Sequence, residues 1–403
     1  MPQSRRLISL KSLIIIFAVA MTAAAIGVFA SKGLSASNTV KERTNNISTI
    51  ALPGSFSVII DRVGPAVVSI RVTRKVPQTT EIPEPFKRFF GDNFGFQFGK
   101  PGQLRPHPLP SVQGIGSGFF IDDDGHIVTN NHVVGDAEKI EVTLKDGKTY
   151  QAKLVGRDRK TDLALLKVDA RKKFPFVRFG ISAKTKVGDW VIALGSPFGL
   201  GHTATTGIVS ARGRDIGSGP YDDFLQIDAP INRGNSGGPT FNVSGEVIGV
   251  NTAIISPTGV SAGIGFAVPS DMAKSVIAQL REKGAVSRGW LGVEIQQVTE
   301  DLAAGLRMKK PEGALISNVS KGSPAERAGL NVGDVIVAVN DERIEKMREL
   351  PRRIAGLING RITKFGIFRD GKERIIKVII GRMPTTKKIA SVNRGNLESR
   401  SLV

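Results

Sequence analysis

From Phe56 onward the apolar residues of this chain come in short runs, parted at close intervals by glycine, proline and aspartate, and that spacing limits the folds open to it. The runs are Ala66 to Val72, Gly118 to Ile121, Ile140 to Leu144, Leu163 to Val168, Trp190 to Leu194 and Val247 to Thr252. Their length and β-branched content predict strands, and their frequency argues an all-β sandwich or barrel over a parallel sheet. One helix is predicted to close the region. Ser270 is its expected cap, Met272, Ala273, Val276, Ile277 and Leu280 share one face, and Gly284 ends it.

After Arg288 the texture changes. Strand-like runs at Trp290 to Ile295, Gly313 to Val319, Val335 to Val339, Lys364 to Phe368 and Arg374 to Ile380 surround two helical stretches. Ser323-Pro324-Ala325-Glu326 reads as a capping box with proline at the first helical position, and Gly329 stops the helix it opens. A second helix covers about Leu350 to Ile358. Mixed elements at this length predict an α+β module. Since 403 residues exceed one ordinary core, two domains with accessory segments are expected.

The expected divisions are residues 1–36 as an address segment, 37–55 as a linker, 56–284 as the β domain, 288–383 as the α+β module and 384–403 as a disordered basic tail. Arg5, Arg6 and Lys11 precede an uncharged run from Ser12 to Ser31, the pattern of an export signal, with Ala30 and Ala36 as small residues for cleavage. The run is also long enough, at 1.5 Å per residue, to cross a core of roughly 30 Å, so a membrane anchor stays open. Within the β domain, residues 75–112 form a proline-rich insertion carrying Phe86, Phe89, Phe90, Phe94, Phe96 and Phe98. Burial in the same subunit and contact with another are both open for these rings.

There are no cysteines, so neither disulfides nor thiolate metal sites are available, and the four histidines are too scattered to predict a metal centre. The net charge of +20 favours acidic partners. Nucleic acid is not expected among them, because no basic run interleaves with aromatics and only two Trp and two Tyr are present for stacking.

Chemistry concentrates at Gly234-Asn235-Ser236-Gly237-Gly238-Pro239. Small residues on both sides let the backbone turn sharply and a carbonyl approach. The amides of Gly234 and Ser236 can then converge on the oxygen where charge collects during acyl transfer. A serine hydroxyl needs a base, and the base needs an orienting group. His132, in Thr129-Asn130-Asn131-His132-Val133-Val134, and Asp162, in Thr161-Asp162-Leu163-Ala164-Leu165-Leu166, supply one candidate each. Each alone has a commoner structural use; the order His, Asp, Ser is one known for this constellation.

These segments, with Gly116-Ser117-Gly118-Phe119 and Gly195-Ser196-Pro197-Phe198-Gly199, resemble the successive motifs of the HtrA family of serine endoproteases, over about Phe56 to Met383. The resemblance implies a mainly β chymotrypsin-like pair of six-stranded barrels followed by a PDZ domain, with no cofactor and no metal. It implies Ser236 as nucleophile, His132 as base and Asp162 as orienter, with Gly234, Asn235 and Ser236 around the oxyanion. Ile264, Gly265, Phe266 and Ala267 resemble the strand that pairs with substrate, lining a pocket for small aliphatic residues. Gly289, Trp290, Leu291, Gly292 and Val293 resemble a PDZ carboxylate-binding loop that captures C-terminal peptides.

The implied function is an ATP-independent endoprotease of the periplasm acting on unfolded or misfolded proteins, as a homotrimer or larger. The phenylalanine-rich insertion is similar to the regulatory loop of the Do branch, whose members commonly carry two PDZ domains where this chain has room for one. A membrane-anchored stress-sensing branch also carries one, which keeps an inner-membrane regulatory protease open. So does a chaperone-like scaffold with vestigial catalysis. Thr240 stands where leucine is usual and Pro230 where alanine is usual, both near loops that switch such enzymes on. The sequence ends in Ser401-Leu402-Val403, a form of peptide that many PDZ domains accept, which leaves open that the tail occupies its own or a neighbour's groove.

Overall fold

Strand alternation, applied to a surface buried on both sides, explains why a run such as Trp190 to Leu194 is apolar at every position. In the computed structural model, which describes residues 54–75, 111–197, 201–232, 234–254 and 263–384, β1 (Val67–Lys75), β2 (Ser111–Phe120), β3 (His126–Asn130), β4 (Lys139–Thr143), β5 (Thr149–Asp158) and β6 (Leu163–Val168) close into an antiparallel barrel of order β1-β2-β3-β6-β5-β4. A second barrel, of order β10-β11-β12-β9-β8-β7, is built from β7 (Trp190–Gly195), β8 (Thr203–Arg214), β9 (Phe224–Ile227), β10 (Pro239–Phe241), β11 (Val247–Ile254) and β12 (Gly265–Pro269).

Along β6, Ala164, Leu166 and Val168 point into the first barrel, while Leu163 and Leu165 point at the second. β7 does the same in mirror fashion. Val191 and Ala193 fill the second barrel, and Ile192 and Leu194 join Leu163, Leu165, Phe119 and Phe241 between the two. The barrels therefore share a core, and the loops at its rim are held close.

A short helix α1 (Ser57–Val63) leads into the first barrel, and α2 (Asn131–Val134) follows β3 directly. The predicted closing helix is α3 (Ser270–Lys283); Ala273, Val276, Ile277 and Leu280 are buried in the shared core, and Gly284 ends it at φ 68°. Each such side chain contributes about 1.5–3 kcal/mol of burial. Ser270 is not its cap. Pro269 occupies that position, and the Ser270 hydroxyl instead donates to Gly180 O at 3.0 Å and accepts from Ser182 N at 3.1 Å, tying the helix to the loop before β7.

In the second module, β14 (Val293–Gln297), β15 (Ala314–Val319), β16 (Val335–Val339), β18 (Ile362–Arg369) and β19 (Lys372–Ile379) form one sheet in that order, with β17 (Glu342–Arg343) on β16. β13 (Gly289–Trp290) pairs separately with β20 (Gly381–Arg382). The run expected as one strand from Trp290 to Ile295 is thus broken at Leu291 and Gly292, where Gly292 turns the chain at φ 83°. Three helices accompany the sheet: α4 (Glu300–Gly305), α5 (Pro324–Arg327) and α6 (Glu349–Ala355).

The Ser323 hydroxyl accepts from Glu326 N at 3.1 Å, as a cap should, but the Glu326 carboxylate reaches Gly322 N rather than Ser323 N. α4 was not expected; Thr299 caps it by accepting from Leu302 N. Its Ala303, with Leu306 and Met308, covers Leu315, Val335 and Val337. Among the described residues no helix is long and apolar enough to cross a membrane. The run from Ser12 to Ser31, most of the insertion with its six phenylalanines, and the tail including Ser401 lie outside the described residues.

Candidate active site

Register brings the histidine and the aspartate together. β3 and β6 pair antiparallel with Asn130 opposite Leu163, so His132, two residues past the end of β3, meets Asp162, one residue before the start of β6. Asp162 holds φ at 56°, a left-handed conformation that aspartate tolerates better than most residues. Its carboxylate faces His132 twice: Oδ2 lies 2.6 Å from Nδ1, and Oδ1 accepts from the His132 amide at 2.8 Å. Its carbonyl accepts from Asn131 N and from Asn130 Nδ2, both at 3.0 Å. A carboxylate held at both oxygens fixes the ring's plane and puts the imidazole proton on Nδ1.

Behind the histidine, Arg74 Nη2 donates to the carbonyls of His132 and Val133 at 2.9 and 2.8 Å. Burial lowers the Arg74 guanidinium from its ordinary value, against the opposing field of Asp136.

The serine arrives from the other barrel. Its carbonyl accepts from Ser117 N at 2.8 Å, and a Cβ on the next residue, Gly237, would press on Ser117 O, Thr129 Oγ1 and Asn130 N. Ser236 is thereby seated against the strand that ends in the histidine turn. Gly234 takes φ 97° against Pro197, where an added Cβ would come within 2.5 Å of the proline ring. Asn235 N donates to Asn232 O at 3.1 Å, closing the turn. Of the three residues expected around the oxyanion, Asn235 has its amide taken up in this turn.

Three buried side chains absent from the expectations, Ser117, Thr129 and Asn251, support the backbone around this turn. Ser117 Oγ donates to Gly234 O at 2.6 Å and accepts from Ser196 N at 2.8 Å, and Thr129 Oγ1 donates to Ser117 O at 2.7 Å. Asn251 Nδ2 donates to Leu194 O at 3.2 Å and its Oδ1 accepts from Thr240 Oγ1 at 2.5 Å, which gives the unusual threonine a buried partner. Pro230 O accepts from Thr205 Oγ1 at 2.8 Å. The signal for Ser117 was its position between two glycines in a quoted motif; nothing local marked Asn251.

The expected substrate strand requires correction. Gly265, Phe266 and Ala267 in β12 pair with β11 on one side and with Ile227, Gln226 and Leu225 of β9 on the other, so no edge remains for a peptide. The open edge is on β11 beyond Asn251, whose N–H and C=O bond to Gly238 O and Gly237 N beside the serine. Among the described residues, Thr252, Ala253 and Ile254 continue from there with only β12 as strand neighbour. Ile264 and Gly265 keep an apolar setting, Gly265 facing Ile231 just before the Asn232 to Ser236 turn.

A further link leaves the site toward the second module. Arg288, immediately before Gly289, bonds both oxygens of Asp158, and Asp158 also accepts from the hydroxyl of Thr161, the neighbour of Asp162. Burial alone would raise the Asp158 carboxyl; the Arg288 and Thr161 bonds overcome it and hold it below the ordinary value. In that module Leu291 is buried, while Trp290 and Val293 are half-buried, Val293 packing against the cluster that holds Leu350 and Ile354 of α6.

Two family models match the chain: trypsin-like peptidase domain over residues 116–250 and PDZ domain over residues 279–355. A probable periplasmic serine endoprotease, DegP-like, from Brucella suis biovar 1 is 47% identical over 398 residues, covering 92% of this chain and 77% of the relative. The namesake from Pseudomonas putida is 45% identical over 344 residues, covering 83% and 71%. Among solved structures, the HtrA-type protease AlgW with decapeptide superposes at TM-score 0.67 with 36% identity, covering 82% of this chain and 99% of that one. The serine endoprotease from Yersinia pestis does so at 0.58 with 32% identity, covering 83% and 100%.

Proposed function

The chain belongs to the HtrA family of DegP-like serine endoproteases, and on that premise we propose that Ser236, His132 and Asp162 carry its hydrolysis. The observation that carries the assignment is the double contact of the Asp162 carboxylate with His132. With Nδ1–H donated to Asp162, Nε2 holds the lone pair that takes the Ser236 proton as Oγ attacks a peptide carbonyl. The Gly234 and Ser236 amides stabilise the oxyanion of the tetrahedral intermediate. The imidazolium, steadied by Asp162, then returns its proton to the leaving amine, and the acyl-enzyme is hydrolysed by the reverse use of the same groups. No step needs ATP or a metal.

An extended substrate adds as a strand to Thr252–Ile254, with its side chain before the scissile bond in the apolar pocket by Ile264 and Gly265. Such pairing needs a backbone free of its own structure, which selects unfolded or misfolded proteins. Gly289, Trp290, Leu291, Gly292 and Val293 take C-terminal peptides, in keeping with the decapeptide named with AlgW, and regulate the protease. The periplasm named for the relatives is the proposed location. Residues 1–36 serve as export signal or inner-membrane anchor and 288–383 as the regulatory module.

The proposed assembly is a homotrimer or larger. An apolar patch supports it: Phe56 meets Trp190 with ring centroids 5.7 Å apart, Val58 on α1 is 77% exposed, and Val187 is also exposed.

Unfolded casein incubated at neutral pH with the protein and with Ser236→Ala tests the activity. Fragments from the first alone are expected; equal, negligible cleavage by both would overturn the assignment.

A further inference from the structure

One face of the sheet in the second module is only partly covered. The inner face packs on α5 and α6 through Ala325, Leu350 and Ile354. On the outer face, α4 and the residues after it cover Leu315, Val335, Val337 and Phe368. Beyond their reach lies the β18–β19 hairpin, closed by Asp370 and Gly371, both at positive φ as a tight two-residue hairpin turn demands. Its outward cross-strand pairs are Ile362 with Ile379, Lys364 with Lys377, and Gly366 with Ile375. Ile362, Ile375 and Ile379 are 66%, 67% and 59% exposed. Ile358 stands at the same end, in the turn where Arg361 N bonds its carbonyl and Gly360 N bonds Ile380 O.

Two features of this face are unfavourable in water. Branched apolar side chains stand together in solvent, and two lysines lie directly opposite each other, where like charges repel. The neighbouring acids do not answer that charge: Glu373 is 3.0 Å from Arg343 and Asp370 is 3.5 Å from Arg374.

We propose that the outer face of β18–β19 docks on an anionic phospholipid surface, the isoleucines entering the boundary between headgroups and acyl chains and Lys364 and Lys377 meeting lipid phosphates. The shape favours this partner. Protein partners anchor large side chains in fitted pockets, whereas here aliphatic side chains rise from a two-stranded ribbon, suited to a soft interface that closes around them. Lysine stems lie along apolar surface while their ammonium groups stay at headgroup level. The net charge of +20 adds attraction to an anionic leaflet. The inference is independent of the hydrolytic chemistry.

Lysines on an edge strand also keep it from pairing with a second copy, and the experiment separates the two roles. The full chain, Ile375→Ser/Ile379→Ser and Lys364→Glu/Lys377→Glu are sedimented with vesicles of phosphatidylcholine alone and of phosphatidylcholine mixed with phosphatidylglycerol, at low and high salt. Casein cleavage and the mass of the assembly are measured on the same samples to confirm folding. The gain in binding caused by phosphatidylglycerol is expected to fall about tenfold or more in either variant, and in the parent at high salt, with cleavage unchanged. The proposal is overturned if the parent shows no preference for phosphatidylglycerol, or if both variants keep that preference. A change of assembly mass with lipid binding intact would assign the face to a second copy and overturn it too.

Discussion

Ser117 takes no part in bond making, yet its hydroxyl joins the Gly234 carbonyl to the Ser196 amide in a fully buried position. Ser117→Ala leaves both groups without their partner, which costs about 1–3 kcal/mol for buried polar atoms. It also frees the turn that aims the Gly234 amide. A displacement near 1 Å at such a donor lowers turnover by up to about 100-fold. Calorimetry and steady-state kinetics on a chromogenic peptide are expected to show a lower unfolding temperature and a lower kcat with KM little changed. The contact of His132 with Asp162 was legible in the sequence, because the chemistry proposed for them and for Ser236 restricts residue type. Of Ser117 only the place between two glycines was legible, since its role is set by a partner 117 positions away, which local pattern does not encode.

Among the elements, strands buried on both faces were the most legible, because Leu163 to Leu166 and Trp190 to Leu194 are apolar throughout. β8 and α4 escaped notice: β8 is largely exposed, and α4 offers the core only Ala303 as a fully buried residue. The substrate strand was misplaced for a different reason. Ile264 to Ala267 and Val250 to Ile254 are neighbouring buried strand segments, and only the pairing of β12 on its two sides tells which of them lacks a free edge.

The Arg288–Asp158 pair is the element-scale contact with the sharpest consequence. Because the folded carboxyl titrates below the unfolded value of about 3.9, the pair's contribution is complete above that value and disappears as pH falls through the lower folded one. Asp158→Asn leaves the buried guanidinium uncompensated. It is expected to cost about 3–5 kcal/mol at neutral pH and to flatten the acid limb of stability against pH. Urea midpoints measured from neutral pH down through about pH 3 check both expectations; an acid limb as steep as the parent's would count against the pairing.

At the scale of the whole molecule, the two barrels make a cleft because they share a core, and the second module is tied to that cleft through Arg288. The order of domains was legible because the texture changes at Arg288. The geometry between them was not, since it depends on pairs far apart in the chain, Arg288 with Asp158, Arg348 with Asp215 and Arg352 with Asp223. Assembly belongs to this scale as well. Val58→Glu/Trp190→Glu puts charge into the apolar patch beside α1 and is expected to shift sedimentation from the proposed trimer toward a monomer; unchanged mass would remove that patch from the interface.

The central claim is that the fold converts Ser236 into a nucleophile through His132 and Asp162. Exposure to an organophosphate followed by peptide mapping tests it most directly. The account predicts a single adduct on the peptide containing Ser236, with labelling slowed by orders of magnitude, up to about 10⁴-fold, in Asp162→Asn. An adduct on another residue, or equal labelling in the parent and Asp162→Asn, would contradict it.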